Sequence, residues 1–179
     1  MKDEDYKRLI QRCGELAIKP TNESLTVSIA RQEMTLWSGG NAEVTWAVST
    51  SRRPPSCVQD SLGTPTGLHV IATKLGDGEP LGTVFRYRQS LGTLYWEMPA
   101  AEQEKALITT RILRLRGLEE GLNAGEGCDS HYRMIYIHGT NHEAAIGQPH
   151  SAGCIEMLNA EVLELYERVP EGTLVWIGF

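Results

Sequence analysis

The feature that most constrains the fold is an alternation of apolar and polar residues that recurs in short segments. It runs through residues 24–29 and 44–48 and returns at 68–74, with turn-forming residues between the segments. A period of two sends successive side chains to opposite faces of a β-strand. The compact apolar run at residues 132–137 predicts a buried strand, and residues 173–177 predict a last one. We therefore expect a β-rich chain that begins with a meander of short antiparallel strands.

The predicted helices are few. Residues 3–17 carry apolar side chains on one helical face, which predicts an amphipathic helix packed on the main domain; a partner-binding helix is the alternative. Residues 100–107 are compatible with a short helix, and Asn159 is expected to cap another. These patterns indicate a β-rich α+β protein with a helical segment over residues 1–22 and one domain over 23–179.

Composition and charge restrict the partners. Hydrophobic residues make up 41% of the 179 positions and charged residues 22%, as in ordinary globular domains. The net charge is −6 and no basic run is longer than Arg52–Arg53, so we expect no nucleic-acid partner. The first residues lack the pattern of a secretory signal, and no apolar run is long enough to span a bilayer. We expect a cytoplasmic protein without a membrane partner; the sequence indicates no oligomeric state.

The four cysteines include one with an unusual neighbourhood. Cys13, Cys57 and Cys128 form no CxxC pair and are expected to be free thiols in a reducing compartment. Cys154 instead follows a Ser-Ala-Gly turn and comes shortly after His138, which stands at the end of the predicted buried strand before a glycine. An imidazole at the rim of a sheet could take the proton of a nearby thiol and make it nucleophilic.

The residues alone leave three interpretations of this pairing open. Thiol catalysis is the first, and simple packing of both side chains is the second. A metal site using His138, His142, His150 and Cys154 is the third, although the i, i+4 spacing of the first two histidines aligns ligands only on a helix.

The segment also resembles the signature of the YkuD-type L,D-transpeptidase catalytic domain, in which His-Gly-Thr is followed by Ser-His-Gly-Cys-Ile-Arg-Met. The likeness extends to shorter motifs at residues 64–67, 110–113, 117–119, 129–130 and 172–175, and so covers residues 24–178. The positions that match the signature are His138, Gly139, Thr140, Ser151, Gly153, Cys154, Ile155 and Met157.

The resemblance implies a β-sandwich or barrel fold and acyl transfer through a thioester. Cys154 would attack a peptide carbonyl, and His138 would take the thiol proton and give it to the leaving amine. The backbone carbonyl of Gly139 would orient the imidazole. The N–H groups of Gly153 and Cys154 would hold the oxyanion in a turn shaped by Ser151.

The same resemblance implies a muropeptide or a peptidoglycan-precursor peptide as substrate. The residues that we expect to contact it are Tyr136, Thr140, His150 and Arg133. We expect neither a metal nor an organic cofactor.

Two departures from the signature bear on the reaction. Ala152 replaces the signature histidine, and Glu156 replaces the arginine, which reverses a charge two residues from the thiol. Together with the expected cytoplasmic location, they favour water as the acceptor. The predicted function is therefore an L,D-carboxypeptidase that removes the terminal D-Ala from murein tetrapeptides during recycling. An L,D-transpeptidase and an inactive muropeptide-binding module are the alternatives.

Overall fold

The structure, a computed structural model, describes residues 2–179. Within them, ten β-strands and three α-helices follow one another along the chain. They are α1 (Lys2–Glu15), β1 (Glu23–Ser28), β2 (Glu33–Ser38), β3 (Asn41–Ala47), β4 (Gly67–Leu75), β5 (Thr83–Arg86), β6 (Gln89–Leu94), α2 (Ala100–Gln103), β7 (Ile108–Gly117), β8 (Tyr136–Thr140), β9 (Ile155–Met157), α3 (Asn159–Arg168) and β10 (Leu174–Gly178).

The strands form one strongly curled mixed sheet. Its main path is β3-β2-β1-β10-β4-β7-β5-β6, and the first three strands are the antiparallel meander that the alternation predicts. β7 is the branch point: it pairs with β4 and β5 along one edge and with β8 along the other. β9 then pairs with β8 in parallel. The branch thus carries the two short strands that hold the His-Gly-Thr and Gly-Cys-Ile segments.

The main core fills the curl between the sheet and α3. Val162 and Leu165 of α3 are fully buried against Leu113, Ile137 and Ile155 of the branch strands. Burying an aliphatic side chain of this size stabilises the fold by about 1.5–3 kcal/mol. The core therefore fixes β8 and β9, which carry the predicted site, against a rigid helix.

The amphipathic helix packs on the domain. Leu9 and Cys13 are fully buried in a second apolar cluster with Leu68 and Leu174, and Tyr6 stacks on an aromatic ring of β2 with ring centroids 4.6 Å apart. Cys13 is the small apolar filler that the sequence suggests. The predicted boundary between residues 22 and 23 falls at the start of β1, and the two-part division stays a prediction.

The predicted buried strand over residues 132–137 is wrong in its first half. β8 begins only at Tyr136, while Tyr132 is 69% exposed and Met134 is 51% exposed. The side chain of Asp129 accepts a hydrogen bond from the N–H of Tyr132, and Met134 has φ of +57°, so the backbone turns here. His138 consequently lies inside β8 and is 4% exposed, instead of standing at the sheet rim.

Asn159 does not cap its helix as predicted. It is the first residue of α3, and the carboxylate of Glu143 accepts the hydrogen bond from its N–H at 2.7 Å. Its side chain points instead into the protein, where it is 2% exposed. Asn159 therefore lies at the start of α3, as the sequence predicts, but its side chain makes tertiary contacts instead of capping the helix.

Burial of His69 makes the stability depend on pH. The ring is fully buried between the carbonyl of Gly67 and the hydroxyl of Ser130, and burial lowers the pKa of His69 to about 4. Its contribution is therefore complete above pH 6.5, the ordinary value, and is lost as the pH falls towards 4, by about 3 kcal/mol. Urea unfolding between pH 4 and 7.5 measures this loss. A His69→Gln variant should lack this part of the slope; an equal slope in both proteins would contradict the assignment.

Candidate active site

The parallel pairing of β8 and β9 brings His138 and Cys154 together. Ile137 is in register with Ile155 and His138 with Glu156, and Cys154 directly precedes β9. Alternation along both strands then places His138, Cys154 and Glu156 on the same face of the sheet. All three line one cavity of about 130 Å³, here called the thiol cavity. Its other lining residues are Ala106, Leu107, Ile108, Ser151 and Ala152.

The orientation of the imidazole is set by its own strand. Nδ1 of His138 lies 2.7 Å from the carbonyl oxygen of Gly139. Because a carbonyl can only accept, Nδ1 carries the proton and the lone pair is on Nε2. The contact expected from the resemblance is therefore present, and it leaves Nε2 as the basic atom.

Gly139 is held from behind by a buried polar network. A Cβ at this position would lie 2.6 Å from Oδ1 of Asn159 and 2.8 Å from the carbonyl oxygen of Thr109, so only glycine fits. Oδ1 of Asn159 accepts from the hydroxyls of Thr109 and Thr110, and Nδ2 donates to the carbonyl of Thr140. Nδ2 also donates to Oε1 of Glu143. Sequence reasoning assigned no site role to Asn159.

The thiol is half-buried and has two backbone neighbours. The N–H of Tyr136 donates to Sγ of Cys154 at 3.4 Å, and Sγ lies 3.5 Å from the carbonyl oxygen of Met134. Desolvation raises the pKa of Cys154 to about 12, and the charge of Glu156 acts in the same direction. Burial also lowers the pKa of His138. The resting pair is therefore a neutral thiol beside a neutral imidazole, and the proton must move during attack.

This charge state predicts the pH profile of thiol alkylation. Iodoacetamide reacts with the thiolate, so alkylation of Cys154 should rise about tenfold per pH unit from pH 7 to 10 without reaching a plateau. A free peptide thiol should instead begin to level off near pH 8.5. Peptide mapping by mass spectrometry separates Cys154 from the other cysteines. A plateau below pH 7 would show a thiolate–imidazolium pair and contradict the neutral resting state.

The turn before the thiol is built around Ser151. Its hydroxyl donates to the carbonyl of Cys154 at 2.6 Å and accepts from the N–H of Gly153 at 3.2 Å. Gly153 has φ of +127°, a conformation that other residues rarely adopt. Of the two predicted oxyanion donors, the N–H of Gly153 is thus already engaged by Ser151, and an oxyanion would have to displace that hydroxyl.

A larger cleft opens beside the thiol cavity, and Ala152 lines both. This arginine cleft has a volume of about 770 Å³ and contains Arg88, Arg114 and Arg133. Within residues 2–179, none of these guanidinium groups pairs with a carboxylate: they donate to backbone carbonyls, hydroxyls and a thioether. The cleft therefore offers cations to an anionic ligand. The sequence does not predict Arg88 and Arg114 as site residues. They lie in the turn after β5 and in the middle of β7, and only the fold brings these two segments together.

The four residues predicted to contact substrate lie in different environments. Arg133 lines the arginine cleft, but it donates to the carbonyls of Ser56 and Gly63, and burial lowers its pKa. Tyr136 is 4% exposed, and its hydroxyl accepts from Arg88.

Thr140 is fully buried, and its hydroxyl accepts from the N–H of His142. The structure therefore uses this hydroxyl in the turn after β8, and its contact with substrate stays a prediction. His150 is not among the residues lining the thiol cavity, but it contacts the buried carboxylate of Glu156 at 3.2 Å.

Among residues 2–179, no group of three or more His, Cys, Asp and Glu side chains is arranged to hold a metal ion. In the same range, no helix has the length and apolar character needed to cross a membrane.

The relatives of the chain identify its family. The YkuD family, described as the L,D-transpeptidase catalytic domain, matches residues 22–177. The chain belongs to the YkuD family of L,D-transpeptidase catalytic domains. The matched range contains His138 and Cys154.

Individual relatives of this YkuD domain match over shorter segments. YkuD of Bacillus subtilis (strain 168) is named as an L,D-transpeptidase. It is 56% identical over 42 residues, or 24% of this chain and 26% of the relative. YqjB of the same organism is 49% identical over 45 residues, or 25% of this chain and 26% of the relative. The matched segments thus span about a quarter of each relative.

Solved structures of L,D-transpeptidases share the fold. L,D-transpeptidase 3 from Mycobacterium tuberculosis, bound to a faropenem-derived adduct, has a TM-score of 0.56 at 15% identity over 88% of this chain and 60% of that chain. An L,D-transpeptidase from Mycobacterium smegmatis has a TM-score of 0.53 at 14% identity over 88% of this chain and 59% of that one. The predicted β-rich fold with an added N-terminal helix is confirmed.

This YkuD domain differs from the family signature inside the thiol cavity itself. Ala152 leaves an exposed methyl group at the junction with the arginine cleft, where the signature has a histidine. Glu156 places a carboxylate, 3% exposed, where the signature has a guanidinium. The chemical environment of the thiol is therefore more negative than the signature implies.

Proposed function

We propose that the chain is a cysteine-dependent L,D-carboxypeptidase that removes the terminal D-Ala from murein tetrapeptides. The observation that carries this proposal is the thiol cavity. Cys154, His138 and a carboxylate line this cavity of about 130 Å³. Since a liquid water occupies about 30 Å³, the cavity has room beside the reacting pair for the few waters that hydrolysis needs.

The first half-reaction uses the neutral pair. Nε2 of His138 takes the thiol proton as Sγ of Cys154 attacks the carbonyl between the L-centre of meso-diaminopimelate and D-Ala. The N–H of Cys154 receives the developing oxyanion, and the N–H of Gly153 joins it when Ser151 turns away. The imidazolium then gives its proton to the amine of D-Ala, the C–N bond breaks and a thioester remains.

The arginine cleft supports an anionic stem peptide as the substrate. Arg88 and Arg114 have guanidinium groups without carboxylate partners in the described chain, and a murein peptide carries several carboxylates. Arg133 already holds the loop over residues 56–63, so its role is to shape the cleft. Guanidinium groups suit carboxylates because they present parallel N–H donors.

Product analysis separates hydrolysis from transfer. The enzyme is incubated with disaccharide-tetrapeptide, with and without added D-methionine, beside a Cys154→Ala variant. We expect tripeptide and free D-Ala from the wild type as the main products in both mixtures, and no reaction with the variant. Exchange of D-Ala for D-methionine without tripeptide would instead indicate the L,D-transpeptidase.

The inactive muropeptide-binding module is the less favoured alternative, because the thiol and an oriented imidazole share one cavity. Binding of tetrapeptide without any release of D-Ala would support it. The cytoplasmic location and the recycling role stay predictions.

A further inference from the structure

The carboxylate of Glu156 faces the reacting atoms. Glu156 pairs in register with His138, and it lies two residues after Cys154, so the three side chains share one face of the sheet. All three line the thiol cavity. Glu156 has no role in the first half-reaction, although its side chain lines the same cavity as the thiol and the base.

The charge of Glu156 is only partly compensated. Oε2 accepts a hydrogen bond from Nδ1 of His150 at 3.2 Å, which within residues 2–179 is the one hydrogen bond of this carboxylate. Oε1 is not among the fully buried atoms that lack a partner, so it is open to the cavity that Glu156 lines. Burying a carboxylate costs free energy unless partners replace water. Since the family signature has a cation at this position, the fold itself does not require an anion. Oε1 is therefore available to a ligand in the cavity.

We propose that Glu156 is the general base of the second half-reaction, in which water releases the product from the thioester; this rests on the proposed function. Glu156 takes a proton from water as the water oxygen bonds to the thioester carbonyl carbon. The C–S bond then breaks, and Sγ regains the proton that Glu156 took. One water is consumed, and the thiol, the carboxylate and the tripeptide acid result.

This assignment explains the charge reversal in chemical terms. A carboxylate accepts the proton of an attacking water, whereas a guanidinium has no lone pair with which to accept it. The contact from His150 fixes the carboxylate and leaves Oε1 towards the cavity. Glu156 thus supplies the base that hydrolysis of the thioester needs.

Glu156→Gln tests the inference, because the amide keeps the shape and loses the basicity. The tetrapeptide is mixed with the variant, and free D-Ala, tripeptide and the intact protein mass are followed. We expect one D-Ala per enzyme in a burst, accumulation of the thioester, and tripeptide release slowed by about 100-fold or more. Added D-methionine at pH 9 should restore turnover as exchange product, since its amine attacks as the free base.

Glu164→Gln is the matched control, because Glu164 is exposed and pairs with Arg168 on α3. It should release tripeptide at the wild-type rate. Tripeptide release at that rate by Glu156→Gln would overturn the inference. So would an equal loss of acylation and deacylation with a lowered melting temperature, which would indicate a structural role. Absence of D-Ala release from the wild type itself would overturn the proposed function together with this inference.

Discussion

Replacing His138 by glutamine is expected to lower kcat for D-Ala release by about 10²–10⁴-fold while the protein stays folded. Nε2 of His138 is the basic atom in the thiol cavity, because Nδ1 donates to the carbonyl of Gly139. The thiol pKa is raised to about 12 by burial, so at pH 7 almost none of the thiol is ionised at rest and attack needs a base. Steady-state release of D-Ala from tetrapeptide, with circular dichroism of both proteins, measures the effect.

Glu164→Gln is the control, since that carboxylate is exposed on α3, pairs with Arg168 and does not line the thiol cavity. It should change kcat little. A His138→Gln variant with wild-type kcat would show that another group takes the thiol proton. Recovery of part of the lost rate above pH 10, where more thiolate forms, is a further expected result.

Replacing Asn159 by alanine is expected to destabilise the fold by about 3 kcal/mol or more. The change leaves the hydroxyls of Thr109 and Thr110 and the carbonyl of Thr140 without their partner. It also removes the side chain that packs against Gly139, so the backbone carbonyl that orients the imidazole is held less firmly. Urea unfolding measures the free energy, and D-Ala release by the folded variant measures the loss of positioning.

Asn159→Asp should not rescue this loss. Nδ2 donates to the carbonyl of Thr140 and to Oε1 of Glu143, and a second carboxylate oxygen would meet two acceptors there. Glu164→Gln on the exposed side of the same helix should leave stability within about 0.5 kcal/mol. A fully stable Asn159→Asp protein would contradict the described network.

The sequence predicts the parts of the fold that local patterns determine. Alternation gave the meander and the last strand, and helical periodicity gave α1, because burial of one face leaves a period in the chain. The pattern over residues 132–137 predicts a buried strand, but Tyr132 and Met134 at its start are exposed beside the arginine cleft. Apolarity alone does not separate a buried strand from a ligand-facing turn.

The sequence predicts those residues of the candidate site that lie near one another in the chain. His138, Gly139 and Cys154 belong to two motifs joined by a short loop, and the parallel pair β8–β9 brings them together. Arg88 and Asn159 were assigned no site role, because strand pairing and tertiary contacts place them near the site from distant positions in the chain. The sequence did flag the charge change at Glu156, but only the cavity shows that the carboxylate faces the thiol.

The most direct test of the account is hydrolysis of tetrapeptide in water enriched in ¹⁸O, followed by mass spectrometry of the products. Wild-type enzyme should release free D-Ala and a tripeptide with one ¹⁸O in its new carboxyl group, and Cys154→Ala should release neither. That result would establish thiol-dependent transfer of the acyl group to water. Labelled tripeptide from Cys154→Ala, or no tripeptide from the wild type, would contradict the account.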